Sequence, residues 1–210
     1  MLSNLISNQN FIGWTIITSG IWWILQMIFV TLLYTLKASP FGGMSDFSNI
    51  LTMLLLLPFS FVLFKSNQES APTLSLIALM LGIAGILSIS IASAMLIAKR
   101  IQFLQSLIPV FGGYVAFGIS LLINLWIAKN NASMPPSVLN WGLMVGLGLV
   151  SIAGLLTVDL AQLFSFNMDG LWSNPFIYPA FILTPFFFLG YPFWAFMVGR
   201  RMLAGNLLFN

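Results

Sequence analysis

The chain has no cysteine and no histidine. Without a thiol there is no disulfide, no thiolate nucleophile and no Cys-ligated iron–sulfur cluster. Without imidazole there is no histidine-held haem or zinc, no axial histidine for a chlorophyll, and no imidazole general base. Charge is the next scarcity. Seven basic and four acidic residues make 5% of the 210, where soluble domains carry about a quarter. A chain this short of charge cannot clothe a water-facing surface. Nor is it a nucleic-acid binder: net charge is +3, and Lys and Arg are scattered near the ends of apolar runs instead of gathered in a patch. The four carboxylates neither pair at a catalytic spacing nor gather into an oxygen cage, so no metal site is read and no cofactor is required.

What fills the chain is apolar sequence, 60% of it, in six runs at about 11–36, 47–64, 73–98, 103–128, 138–158 and 176–198. Each is near the ~17–25 residues that cross a hydrocarbon layer ~30 Å thick as helix. The runs do not alternate as barrel strands would, and lipid tolerates only structures that satisfy their own backbone groups. The expectation is an all-α fold: one transmembrane domain over 1–210, a bundle of about six spans with short loops. The second run is the shortest, preceded by the breaker-rich Ser39, Pro40, Phe41, Gly42 and Gly43, and is read as thinning the bilayer or re-entering it.

Six spans sort the interfacial residues. Trp14, Trp126, Trp141 and Trp194 fall on the side of the first span's N-terminus, with Lys65, Lys129, Arg200 and Arg201. Tyr34, Tyr114, Tyr178 and Trp172 fall on the other, with Lys37, Lys99 and Arg100. Aromatic belts and the four-to-three excess of basic residues place both termini in the cytoplasm.

Small residues recur at helical spacing: Ala84, Ser88 and Ala92; Gly112, Ala116 and Ser120; Gly142 and Gly146. Such faces let membrane helices approach closely, or line a path. Two amides, Gln26 and Asn124, lie deep in apolar runs, where an unpaired amide is expensive. They read as interhelical hydrogen bonds or as polar contacts to an apolar ligand's ring or headgroup. The candidate ligand-binding residues are Gln26 with Trp22 on one face of the first span, Asn124 with Ser120 on one face of the fourth, and Phe187 in the aromatic sixth. Asp159, after the fifth span and before another apolar stretch, is the candidate for proton or ion coupling. Asp46 and Glu69 are read as loop residues. No residue is assigned a catalytic role.

Asp46-Phe47-Ser48-Asn49 entering the second span, Pro58 within it, and Tyr191-Pro192-Phe193-Trp194 leading to Gly199-Arg200-Arg201 form a pattern. In these motifs the chain resembles an uncharacterised family of small bacterial six-span membrane proteins. The resemblance implies a bacterial inner-membrane protein and carries over no mechanism. The leading expectation is a non-enzymatic membrane subunit or scaffold, holding lipid, carotenoid or quinone-like molecules between helices, with an isoprenoid-type lipid as its bound molecule. Its partners would be the bilayer and a membrane protein or a second copy of itself. The rivals are a small secondary transporter with a mid-membrane polar site and a lipid-modifying membrane enzyme.

Overall fold

The computed structural model describes residues 8–38, 40–131, 134–157 and 177–205. Among the described residues there are six α-helices: α1 Gln9–Leu36, α2 Pro40–Asn67, α3 Pro72–Ile97, α4 Phe103–Asn130, α5 Pro136–Ser151 and α6 Ile177–Leu203. A 3₁₀ segment, Ile152–Thr157, extends α5. All six, α5 together with its 3₁₀ extension as far as Gly154, are long and apolar enough to cross a bilayer, and the chain is an integral membrane protein. At 1.5 Å per residue a helix of 28 residues is roughly 42 Å long, so its ends emerge from a ~30 Å hydrocarbon layer into the headgroups. Asp159 lies outside the described residues.

Helix starts follow local chemistry. The Asn8 side chain accepts a hydrogen bond from the Phe11 amide (3.3 Å), tying down a free donor of the first turn of α1. Pro40, Pro72 and Pro136 each open a helix, where the missing N–H costs nothing. This corrects the reading of the second span. Pro40 is an initiator and not a breaker, Gly42 and Gly43 are helical, and α2 has 28 residues. Asp46 therefore sits in the second turn of a helix, half-buried, and not in a loop.

Each helix packs on its neighbours in sequence, and α6 packs on α1, closing the bundle into a ring. The α1 N-terminus lies at the end that carries Lys65, Lys129, Arg200 and Arg201, here the Arg200 end; Lys37, Lys99 and Arg100 mark the Lys99 end. Lipid gives no hydrophobic drive for helices to associate, so close backbone approach must supply the attraction. A methyl added at Gly85 would stand 2.5 Å from the Gly113 carbonyl oxygen, and one at Gly199 would stand 2.7 Å from that of Gly13. Glycine is what lets α3 meet α4 and α1 meet α6. The expected stripe through Gly112 is off by one residue. Gly113, Phe117, Ser120 and Asn124 face the core, while nothing lies within 4 Å of the site of a Gly112 side chain. A spacing of four turns a helix 40° per step, so a long four-residue stripe winds off the packed face.

The core is aromatic. Trp23 of α1 lies 4.6 Å from Phe187, 5.4 Å from Tyr191 and 6.0 Å from Tyr114 between ring centroids, and Phe59 lies 5.7 Å from Trp194. Trp194 and Tyr114 are buried here, which removes them from the interfacial belts. Trp14, Trp126 and Trp141 remain exposed near the Arg200 end, and Tyr34 near the Lys99 end.

Candidate functional site

The inner face of α6 is closed by its own backbone chemistry. Pro192 has no N–H, so the Phe188 carbonyl one turn earlier loses its helical donor. The Trp23 indole N–H fills that vacancy at 3.0 Å. The Trp194 indole N–H reaches the Val138 carbonyl at the start of α5 (3.1 Å), and the Tyr191 and Ser19 hydroxyls share a hydrogen bond of 2.7 Å. Each aromatic thus buries its ring and satisfies its polar end, the arrangement an apolar interior demands.

Polar side chains gather around Tyr114. Its hydroxyl donates to Asn49 Oδ1 (2.8 Å), and Asn49 Nδ2 donates to Ser93 Oγ (3.2 Å), so α2, α3 and α4 are joined through side chains. The Gln26 side chain of α1 lies near the same hydroxyl, and the charge of the Asp46 carboxylate is felt there weakly. Gln26 Oε1 is buried without a hydrogen-bond partner among the described residues. Asp46 lies six residues into α2 and Tyr114 eleven into α4, so the group spans depths of about 9–17 Å from the Lys99 end.

A second amide group sits nearer the Arg200 end. Asn67 Nδ2 donates to Asn124 Oδ1 (2.9 Å) and to the Asn124 carbonyl (3.3 Å). Asn124 Nδ2 in turn donates to the Ser120 carbonyl (3.0 Å), and Ser120 Oγ donates to the Ala78 carbonyl of α3 (2.5 Å). Here most partners are main-chain oxygens, and three helices are clamped where α2 turns into α3.

The outward face of α6 differs from its inward one. A groove of about 570 Å³ opens between α1 and α6, lined by Ile24, Ile28, Thr31, Phe188, Pro192 and Phe196 among others. Its one hydroxyl, Thr31, is bonded to the Met27 carbonyl (2.9 Å), so the lining offers hydrocarbon only. A second hollow of about 520 Å³ takes up Phe193 and Phe196 again and ends at Arg200 and Arg201. A third, about 490 Å³, lies along Trp141, Pro185, Phe186 and Gly190, and also meets Phe193.

The residues expected from sequence to bind a ligand do not converge. Gln26 and Phe187 both adjoin Tyr114, Phe187 with ring centroids 5.7 Å apart. Trp22 packs edge-on against Phe47 of α2 (6.1 Å), and Ser120 and Asn124 belong to the other amide group. Phe187 is buried among core aromatics and is not on the grooves. Sequence reading missed Asn49 and Asn67, both buried; Asn49 stood within the second run as given, whereas Asn67 fell outside it because the bounds were too narrow for α2. Among the described residues no three Asp or Glu come together to hold a metal. Compared with known proteins, the chain matches no family model, no curated protein and no solved structure. The resemblance to small bacterial six-span proteins therefore rests on its sequence motifs alone.

Proposed function

We propose that the protein is a non-enzymatic membrane subunit or scaffold that holds a lipid-like molecule, such as an acyl, carotenoid or quinone tail, against α6. The observation that carries this reading is the apolar groove between α1 and α6, whose volume lies in the range of small-molecule sites and whose lining has no free polar group. The sequence motifs and the excess of basic residues at the Arg200 end favour a bacterial inner membrane with both termini in the cytoplasm. The test is purification from native membranes followed by mass spectrometry of bound molecules and proteins. An apolar molecule should co-purify and should be lost when Ile28→Trp fills the groove. A wild-type preparation free of lipid, pigment and partner would sink the reading.

A second reading, a small secondary transporter, is favoured by the polar group at Tyr114. It draws side chains from four helices, holds at Gln26 an acceptor with no partner among the described residues, and feels the charge of the Asp46 carboxylate. Intramembrane carboxylates commonly serve proton or ion pathways. In proteoliposomes under an imposed pH gradient, Asp46→Asn should abolish proton uptake seen in the wild type. Equal uptake by the two proteins would remove this reading.

A further inference from the structure

The grooves on α6 lead to a pair of cations, and the two features fit one molecule. The hollow at Arg200 and Arg201 shares Phe193 and Phe196 with the α1/α6 groove, so the two adjoin along α6 and the lining turns from apolar to polar on the way from Phe188 to the guanidinium groups. Phe188 and Arg200 are twelve residues apart, roughly 18 Å along the helix, close to the ~15 Å depth of one leaflet's hydrocarbon. The chain therefore offers a surface for an acyl tail that begins near mid-membrane and ends at headgroup level, where two positive charges wait.

Local charge agrees with that. Neither α1 nor α6 contains an acidic residue, so nothing on the two helices forming the groove competes for the arginines. Arg200 is exposed and Arg201 half-buried. Arginine presents a planar fork that matches phosphate oxygens in two-point contact, which makes a phosphate headgroup the complementary partner.

We propose that this surface binds a phospholipid of net negative charge, its phosphate on Arg200 and Arg201 and one acyl chain in the α1/α6 groove. The proposal rests on the lipid-holding reading above and adds the headgroup class and the two residues that read it. Its chemistry separates it from a carotenoid or quinone, which would use the groove and ignore the arginines. It also separates it from loose attraction of anionic lipid to a basic surface, which would use Lys65 and Lys129 equally.

The test is native mass spectrometry of the full chain in detergent, titrated with dioleoyl phosphatidylglycerol or dioleoyl phosphatidylcholine. The wild type should retain the anionic lipid about thirtyfold better, roughly fivefold for each of two basic side chains at a lipid surface. The double variant Arg200→Gln with Arg201→Gln should lose that preference and still bind phosphatidylcholine, which also shows that it is folded. Lys65→Gln with Lys129→Gln should keep the preference, and Ile28→Trp should weaken both lipids alike. Equal retention of the two lipids by the wild type overturns the headgroup proposal and leaves lipid holding intact. Retention of neither overturns both. A preference that survives the arginine variant, or falls equally with the lysine variant, overturns the assignment to Arg200 and Arg201.

Discussion

The two amide groups of the bundle solve one problem in different ways. Near the Arg200 end, Asn67 and Asn124 bond largely to main-chain oxygens at fixed positions on rigid helices. Toward the Lys99 end, Tyr114, Asn49 and Ser93 bond to one another through rotatable side chains, with the Gln26 amide near the Tyr114 hydroxyl. A main-chain acceptor cannot turn away, so the first group is a clamp. Side-chain partners can exchange, so the second group can accept another polar guest at the cost of one internal bond. Each retains one buried acceptor without a partner among the described residues, Asn67 Oδ1 and Gln26 Oε1. The second also feels the charge of a carboxylate, Asp46.

That contrast can be broken or sharpened by mutation. The largest effect should come from Gly85→Val, since any side chain there collides with the Gly113 carbonyl and forces apart α3 and α4, which serve both groups. A loss of about 3 kcal/mol, in the upper range for overpacking, is expected in reversible unfolding from mixed micelles. Asn124→Leu comes next. It takes the side-chain acceptor from the buried Asn67 amide, leaving only the longer bond to the main-chain carbonyl, and it removes the donor to the Ser120 carbonyl; about 1–2 kcal/mol should be lost, limited by the modest worth of hydrogen bonds within membranes. Tyr114→Phe removes one donor from a group that can rearrange, and about 1 kcal/mol or less should be lost in the same assay. Gln26→Leu should be the mildest, within about 0.5 kcal/mol, because it also deletes a buried acceptor that had no partner. If Gln26→Leu proved costlier than Asn124→Leu, the distinction between clamp and adaptable group would fail.

The all-α architecture and the six spans were legible because only long apolar runs can cross lipid, and runs can be counted. Burial was harder to read. In a soluble protein apolar means inside, but in a bilayer both the core and the lipid face are apolar, so Trp194 and Tyr114 passed for interfacial anchors. Proline was ambiguous for a geometric reason: Pro40 begins a helix, whereas Pro192 interrupts one, and the difference lies in which carbonyl stands a turn earlier. Of the polar groups, sequence displayed Gln26 and Asn124 but not their partners. Asn67 and Tyr114 are far away in the chain and are brought near only by the ring of helices.

The ring also sets a schedule for biogenesis. Trp23 enters the membrane with the first helix, but the carbonyl that its indole N–H needs belongs to Phe188, 165 residues later. At about 5–20 residues per second, the ribosome leaves that donor waiting roughly ten to thirty seconds. Ser19 waits as long for Tyr191, and Gly13 for Gly199. During that interval the inward face of α1 must be shielded by the insertion machinery or by a temporary neighbour. Insertion of α6 is then the event that seals the bundle, and a chain stopped after α5 would present quality control with an open seam.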